Sequence, residues 1–236
     1  MANYDQHTTA SGAGRERFAV DAGLRAYMLR IYNQMAAGVG LTAVVAWLTY
    51  QLVGPALLQS PLMWVFVFAP LVLVFFLSSR INSLSVSTAR WLFLAYAALV
   101  GVSLSTIFHI YTESSIARVF FITAATFGAL SFFGYTTRRD LSGAGTFLFM
   151  GLVGLIIAGL VNLFLQSTAL DWLISVVGVG VFAGLTAYDT QRIKAMYESG
   201  DDETATGRKV QIAALSLYLN FINLFMMLLR LSGGRR

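Results

Sequence analysis

The chain has 236 residues, of which 57% are hydrophobic and only 11% charged, against roughly 25% charged in an ordinary soluble domain. A water-soluble globule of this length could not cover itself with so little polar surface, so that class is excluded. A net charge of +5 would suit a nucleic-acid partner, but the apolar residues are distributed in a way that excludes this too. Seven stretches hold no charged residue: 31–53, 62–79, 91–112, 119–137, 141–170, 172–188 and 210–229. Each approaches or exceeds the run of about 20 apolar residues that crosses a bilayer as a helix. The sequence therefore predicts an all-α integral membrane protein of seven transmembrane helices, with the lipid bilayer as its surroundings. Residues 1–30 read as an N-terminal tail with a juxtamembrane amphipathic segment, and 31–236 as the transmembrane domain. This leaves no room for a soluble catalytic domain. Cysteine is absent, which removes disulfides and thiolate chemistry.

In chain order, residues 1–14 are rich in Thr, Gly, Ala and Ser and read as an unstructured tail. Phe18, Leu24, Tyr27 and Met28, interleaved with Arg17, Arg25 and Arg30, predict a short amphipathic lead-in. The apolar run that follows exceeds the roughly 7–15 residues of a signal-peptide core, so it reads as a retained first span. Gly54-Pro55 and Ser60-Pro61 end helix 1, because proline lacks the amide donor and restricts the residue before it. Helix 2 carries Pro70 and is expected to kink there. Helix 3 follows a polar connector, Ser78 to Arg90, and ends near Tyr111. Helix 4 begins after Glu113 and Arg118 and stops at Arg138-Arg139-Asp140. Helix 5 is expected from about Thr146 to Gln166, with Gly143 and Gly145 in the preceding loop. Helix 6 starts near Asp171 and continues past Tyr188, and helix 7 covers about Val210 to Leu231. Gly180 and Gly184 form a GxxxG, and Gly154 and Ala158 a small-xxx-small pair, both expected to be packing contacts.

Basic loops stay on the cytoplasmic side. With seven spans, the N-terminal tail and the loops 2-3, 4-5 and 6-7 share one side and hold 12 Lys and Arg residues, against four on the other. The N-terminus is predicted to be cytoplasmic and the C-terminus external, in a bacterial inner membrane.

An ionisable residue inside a span costs about 2.5–3.5 kcal/mol on insertion scales and is a functional candidate by default. Asp189 follows the apolar run of helix 6 directly. If that helix continues through Ile193, the carboxylate lies one to two turns inside its end; the alternative is an interfacial Asp paired with Arg192 or Lys194 and facing water. On helix 7, Ser216, Asn220 and Asn223 fall at i, i+4 and i+7, one polar stripe on an otherwise apolar helix. Such a stripe should face the bundle, as candidate pathway lining around Asp189 and Asn220 or as hydrogen-bonding glue between helices.

Three segments carry a family resemblance: SSIARVFFITAATFGALSFFGYTTRRDLSG (Ser114 to Gly143), GLTAYDTQRIK (Gly184 to Lys194) and ALSLYLNFINLFMMLLRL (Ala214 to Leu231). They resemble the signature stretches of the transmembrane Bax inhibitor motif family, in a bacterial member. The resemblance implies a seven-helix fold with the last helix surrounded by the other six, and a pH-sensitive calcium leak described for some members. In those members two Asp residues, on helices 6 and 7, share a proton near the cytoplasmic mouth, and an Arg on helix 2 latches onto them. Asp189 matches the helix 6 acid, whereas Asn220 stands where the calcium-leak members have Asp. Two close carboxylates can exchange a shared proton near neutral pH. An Asp–Asn pair cannot, because the amide donates a hydrogen bond to ionised Asp189, so the gate is expected to be weakened or moved to lower pH. Arg80, at the end of helix 2, is the candidate latch, and a positive-inside loop residue on the alternative reading.

Enzyme readings are poorly supported. Tyr188-Asp189 matches half of the intramembrane aspartyl protease signature, but the GxGD half is missing. His7 and His109 are the only histidines, and no HExxH, GxSxG or Walker loop occurs. No enzyme, cofactor or fixed metal site is expected. The function implied is a passive cation leak, with calcium the foremost ion and Asp189, Asn220 and Arg80 at its gate. The alternative, from other bacterial relatives, is a non-transporting regulator that binds the membrane protease FtsH through its N-terminal tail.

Overall fold

The computed structural model describes residues 5–53, 60–80 and 83–235. Those residues form seven helices: α1 (Asp5–Val53), α2 (Leu62–Arg80), α3 (Val86–Ile110), α4 (Glu113–Thr136), α5 (Ser142–Leu165), α6 (Thr168–Ala195) and α7 (Glu203–Ser232). α3 is helical to Leu104 and resumes at Ile107 after a two-residue turn. Among the described residues six of them, α1 and α3 to α7, are long and apolar enough to cross a membrane. α2 has 19 residues, carries no charged residue before Arg80 and runs unbroken through Pro70.

Several boundaries differ from the sequence expectation, each for a local reason. α1 is one helix of 49 residues, about 74 Å at 1.5 Å per residue, so residues 5–14 are helical rather than an unstructured tail. Nothing between Asp5 and Val53 breaks it: the stretch contains no proline and is rich in the strong helix formers Ala, Leu and Arg. Gly54-Pro55 lies outside the described residues. α3 begins at Val86, inside the expected connector, because the Ser85 side chain caps it by accepting from the Thr88 amide. α5 begins at Ser142, so Gly143 and Gly145 are helical instead of loop. The Asp140 carboxylate accepts from the Ser142 amide at 2.9 Å, and Gly145 lies against the Tyr188 ring, where a side chain would collide. α7 starts two turns earlier than expected, at Glu203, where Asp202 caps it through the Ala205 amide.

The bundle is apolar outside and tightly packed inside. Phe75, Phe121, Phe147 and Phe164 are strongly exposed along the spans, the surface that a bilayer would cover. Ile31, Leu77, Phe93, Leu217, Tyr218, Leu224 and Leu229 are fully buried. α7 is the most buried span: more than half of its apolar stretch is covered by protein, against 6% for α5. Its main neighbours are α1, α3, α4 and α6, whereas α2 packs chiefly on α3 and α5 on α6. Glycines set the closest approaches. Gly134 of α4 meets the Ala187 backbone of α6, and a methyl group added at Gly184 would reach Leu148 of α5 at 2.7 Å. The GxxxG expectation holds at Gly184 only, since Gly180 and Gly154 face open space.

Polar ties bring the predicted loop sets to common ends. At one end Arg30 pairs with Glu203 at 3.1 Å, Arg208 donates to the Leu84 carbonyl, and Gln191 bridges to Arg139 and Leu141. At the other, Arg230 pairs with Asp171 at 3.3 Å and Tyr111 bridges to Arg235. His109, also at that end, stands edge-on to Tyr50 with ring centroids 4.8 Å apart.

Candidate functional site

Helix α6 continues to Ala195, which sets Asp189 between one and two turns inside its end, and the residue is only 6% exposed. Burying a carboxylate in a bilayer-spanning bundle is unfavourable unless its lone pairs are used. Here they are. Oδ2 accepts from Asn220 Nδ2 and from Ser216 Oγ, each at 2.8 Å, and Oδ1 faces Arg192 Nη2 at 2.9 Å. Arg192 also reaches Ser216 Oγ at 3.5 Å, and its guanidinium lies 5.7 Å from the centre of the Tyr188 ring.

The helical period explains the convergence. Ser216 and Asn220 stand one turn apart on the α7 face that meets α6, and Arg192 stands one turn beyond Asp189 on α6. Thr186 and Thr190 return their hydroxyls to carbonyls one turn back, at 2.7 and 2.8 Å, and so place no demand on the carboxylate. Gly145 lets Tyr188 lie flat on α5, which positions the aromatic floor beneath Arg192.

The two sequence alternatives for Asp189 therefore meet in one arrangement: the acid is buried against the polar stripe of α7, and it is also paired with Arg192, whose side chain is about half exposed at 47%. A cavity of about 490 Å³ opens beside it between α5, α6 and α7, lined by Asp189, Arg192, Ser216, Asn220 and Asn223 together with Tyr188 and Thr146. Asn223 lines the cavity, but its amide donates to the Leu219 carbonyl of its own helix at 2.8 Å and not to Asp189. Arg80 is not part of this group. Its side chain is exposed at the end of α2 and makes no ion pair among the described residues. Arg192 stands instead as the counter-charge to Asp189 in this conformation. Sequence reasoning had weighed Arg192 only as a surface partner; the i, i+3 spacing was the available signal. Among the described residues no three His, Asp or Glu side chains converge as a metal-ligand set.

The model of the family described as inhibitor of apoptosis-promoting Bax1 matches residues 24–236. The chain belongs to the Bax inhibitor family. It is 49% identical over 222 residues to the inner membrane protein YbhL of Escherichia coli, covering 91% of this chain and 94% of that one. An uncharacterized protein of Rickettsia prowazekii is 45% identical over the full length of both chains, and an uncharacterized membrane protein of Streptococcus pyogenes 38% identical over 90% of this chain and 94% of its own. The family model thus matches from within α1 through α7, the part of the chain that builds the cavity.

Proposed function

We propose that this Bax inhibitor family member is a non-enzymatic, multi-pass protein of the bacterial inner membrane that passes cations, calcium foremost, down their gradient through the cavity at Asp189. The observation that carries the reading is a buried carboxylate, inside a span and beside a cavity of about 490 Å³ that the polar stripe of α7 also lines, with its charge held by an arginine that is half in solvent. Such an acid attracts a cation once its counter-charge moves away. Arg192 can swing outward without unfolding anything, because it sits near a helix end and its other contacts are one long hydrogen bond and a ring face. The closed arrangement is the one described here, and the open one has Arg192 displaced and the α7 stripe hydrated. Arg80, exposed at the end of α2, is on this reading a latch that reaches the acid in another conformation.

The 12 basic residues of the N-terminal tail and of loops 2-3, 4-5 and 6-7 support a cytoplasmic position for that end and an external C-terminus. The inner-membrane assignment is supported by the name of the Escherichia coli relative.

The pairing of Asp189 with Asn220 carries a distinct expectation. An amide cannot share a proton as a second carboxylate would, so proton-driven gating is weak. Calcium flux into proteoliposomes from about pH 5 to 8 tests this: wild type should vary little, and Asn220→Asp should gain a pH-dependent step. Identical pH profiles for the two would refute the gating account. Deleting residues 1–16 should leave flux unchanged. If purified protein passes no ions while that deletion alters the activity of FtsH in cells, the regulatory reading replaces this one.

A further inference from the structure

On the opposite side of α7 lies a second polar cavity. Gln211 and Asn220 are nine residues apart, which at about 100° per residue sets them half a turn apart on the helix. Around Gln211, a cavity of about 390 Å³ opens between α1, α3 and α7, lined by Arg30, Asn33, Gln34, Arg90, Glu203 and Gln211 among others. Gln34 is 8% exposed and Gln211 4%. Gln34 Nε2 and Gln211 Oε1 are both buried and have no hydrogen-bond partner among the described residues. Buried amide atoms are nearly always satisfied, so two orphans in one cavity mark a place where something else supplies the bonds. One orphan is a donor and the other an acceptor, and the missing group must therefore accept from one and donate to the other.

The charges narrow its chemistry. Arg30 is occupied by Glu203, with contacts of 3.1 and 3.4 Å that cancel its charge. Arg90 is exposed and makes no ion pair or hydrogen bond among the described residues. The cavity thus offers one uncommitted guanidinium above two unpaired amides. It sits at the basic end of the bundle, along the first two turns of α3 and the first three of α7, where a bilayer presents its headgroups. Guanidinium groups favour phosphate oxygens, and basic pockets between spans at that depth suit anionic headgroups.

We propose that this cavity binds a phosphate group that also presents a hydroxyl, as an anionic glycerophospholipid headgroup or inorganic phosphate does. Phosphate oxygens accept from Arg90 and Gln34, and the hydroxyl donates to Gln211. The site is independent of Asp189 and of the transport reading, and its role is to brace the packing of α1 and α3 on α7.

The test uses the full-length protein in neutral detergent micelles, with thermal stability and native mass spectrometry as readouts. Phosphatidylglycerol should raise the melting temperature and be retained as a bound adduct, whereas phosphatidylcholine, which lacks the hydroxyl and the net charge, should do neither. Arg90→Gln, a change at an exposed position, should weaken phosphatidylglycerol binding about tenfold, the equivalent of one lost charge-assisted bond. Gln34→Met with Gln211→Met should abolish the lipid-dependent rise while leaving the protein folded. Inorganic phosphate forms the second arm: an equal rise that is sensitive to the same variants assigns the site to a soluble anion, and its absence assigns it to the lipid. A stabilisation that phosphatidylcholine matches, or that survives both sets of substitutions, overturns the proposal.

Discussion

The two faces of α7 handle buried polarity in opposite ways. Toward α6, a carboxylate that should be unfavourable in a bilayer has all its bonds made: two neutral donors on α7 and a guanidinium one turn further along α6. Toward α1 and α3, two neutral amides that are easier to bury each have an atom without a partner among the described residues. A satisfied buried charge is a fixed electrostatic feature, and on the proposed function it meets a cation when its one movable partner leaves. Unsatisfied amides are an incomplete site. Substitutions should therefore change stability in opposite directions on the two faces.

The largest effect should come from the packing that holds α6 in place. Gly134→Val puts a branched side chain into the Ala187 backbone, which cannot yield as a side-chain tip would, and should cost about 3 kcal/mol, read as a lowered melting temperature and poor recovery in detergent. Next, Asn220→Leu withdraws a donor from the buried carboxylate and should cost about 2 kcal/mol by the same measurement. On the opposite face, Gln211→Met removes an orphan acceptor of similar size and should stabilise the protein by about 1 kcal/mol in lipid-free neutral micelles. If both changes on α7 destabilise equally, the contrast between the faces is lost. The smallest stability effect belongs to Arg192→Gln. Only the Arg192 side of that ion pair is exposed and Asp189 is buried, but Ser216 and Asn220 still bond the carboxylate and the Gln amide can donate in place of the guanidinium, so melting should fall by the equivalent of less than about 1 kcal/mol, while cation flux rises severalfold because the counter-charge is gone.

The helix pattern was legible in the sequence because a bilayer demands long uncharged runs, and little else fills seven of them in 236 residues. The convergence of Ser216 and Asn220 was legible as well, since their spacing sets them on one face whatever the helix packs against. What escaped depends on tertiary contact. Gly143 and Gly145 read as a loop until Tyr188 is seen lying on Gly145. Asn223 shares the stripe but turns its amide back to Leu219. Arg80 and Arg192 are equally basic on paper, and only the fold sets one beside Asp189. Gln34 and Gln211, 177 positions apart, carry no shared sequence signal at all.

On the proposed function, Asp189 is the acid that a passing cation meets. Calcium influx into proteoliposomes of matched protein content, compared between wild type and Asp189→Asn, tests this most directly. The substitution keeps the side chain's size and one oxygen to accept from Ser216 and Asn220, removes the charge, and turns the oxygen that faces Arg192 into an amide donor. A fall in flux of about tenfold or more, with the melting temperature little changed, is the expected result; undiminished flux through Asp189→Asn would contradict the assignment.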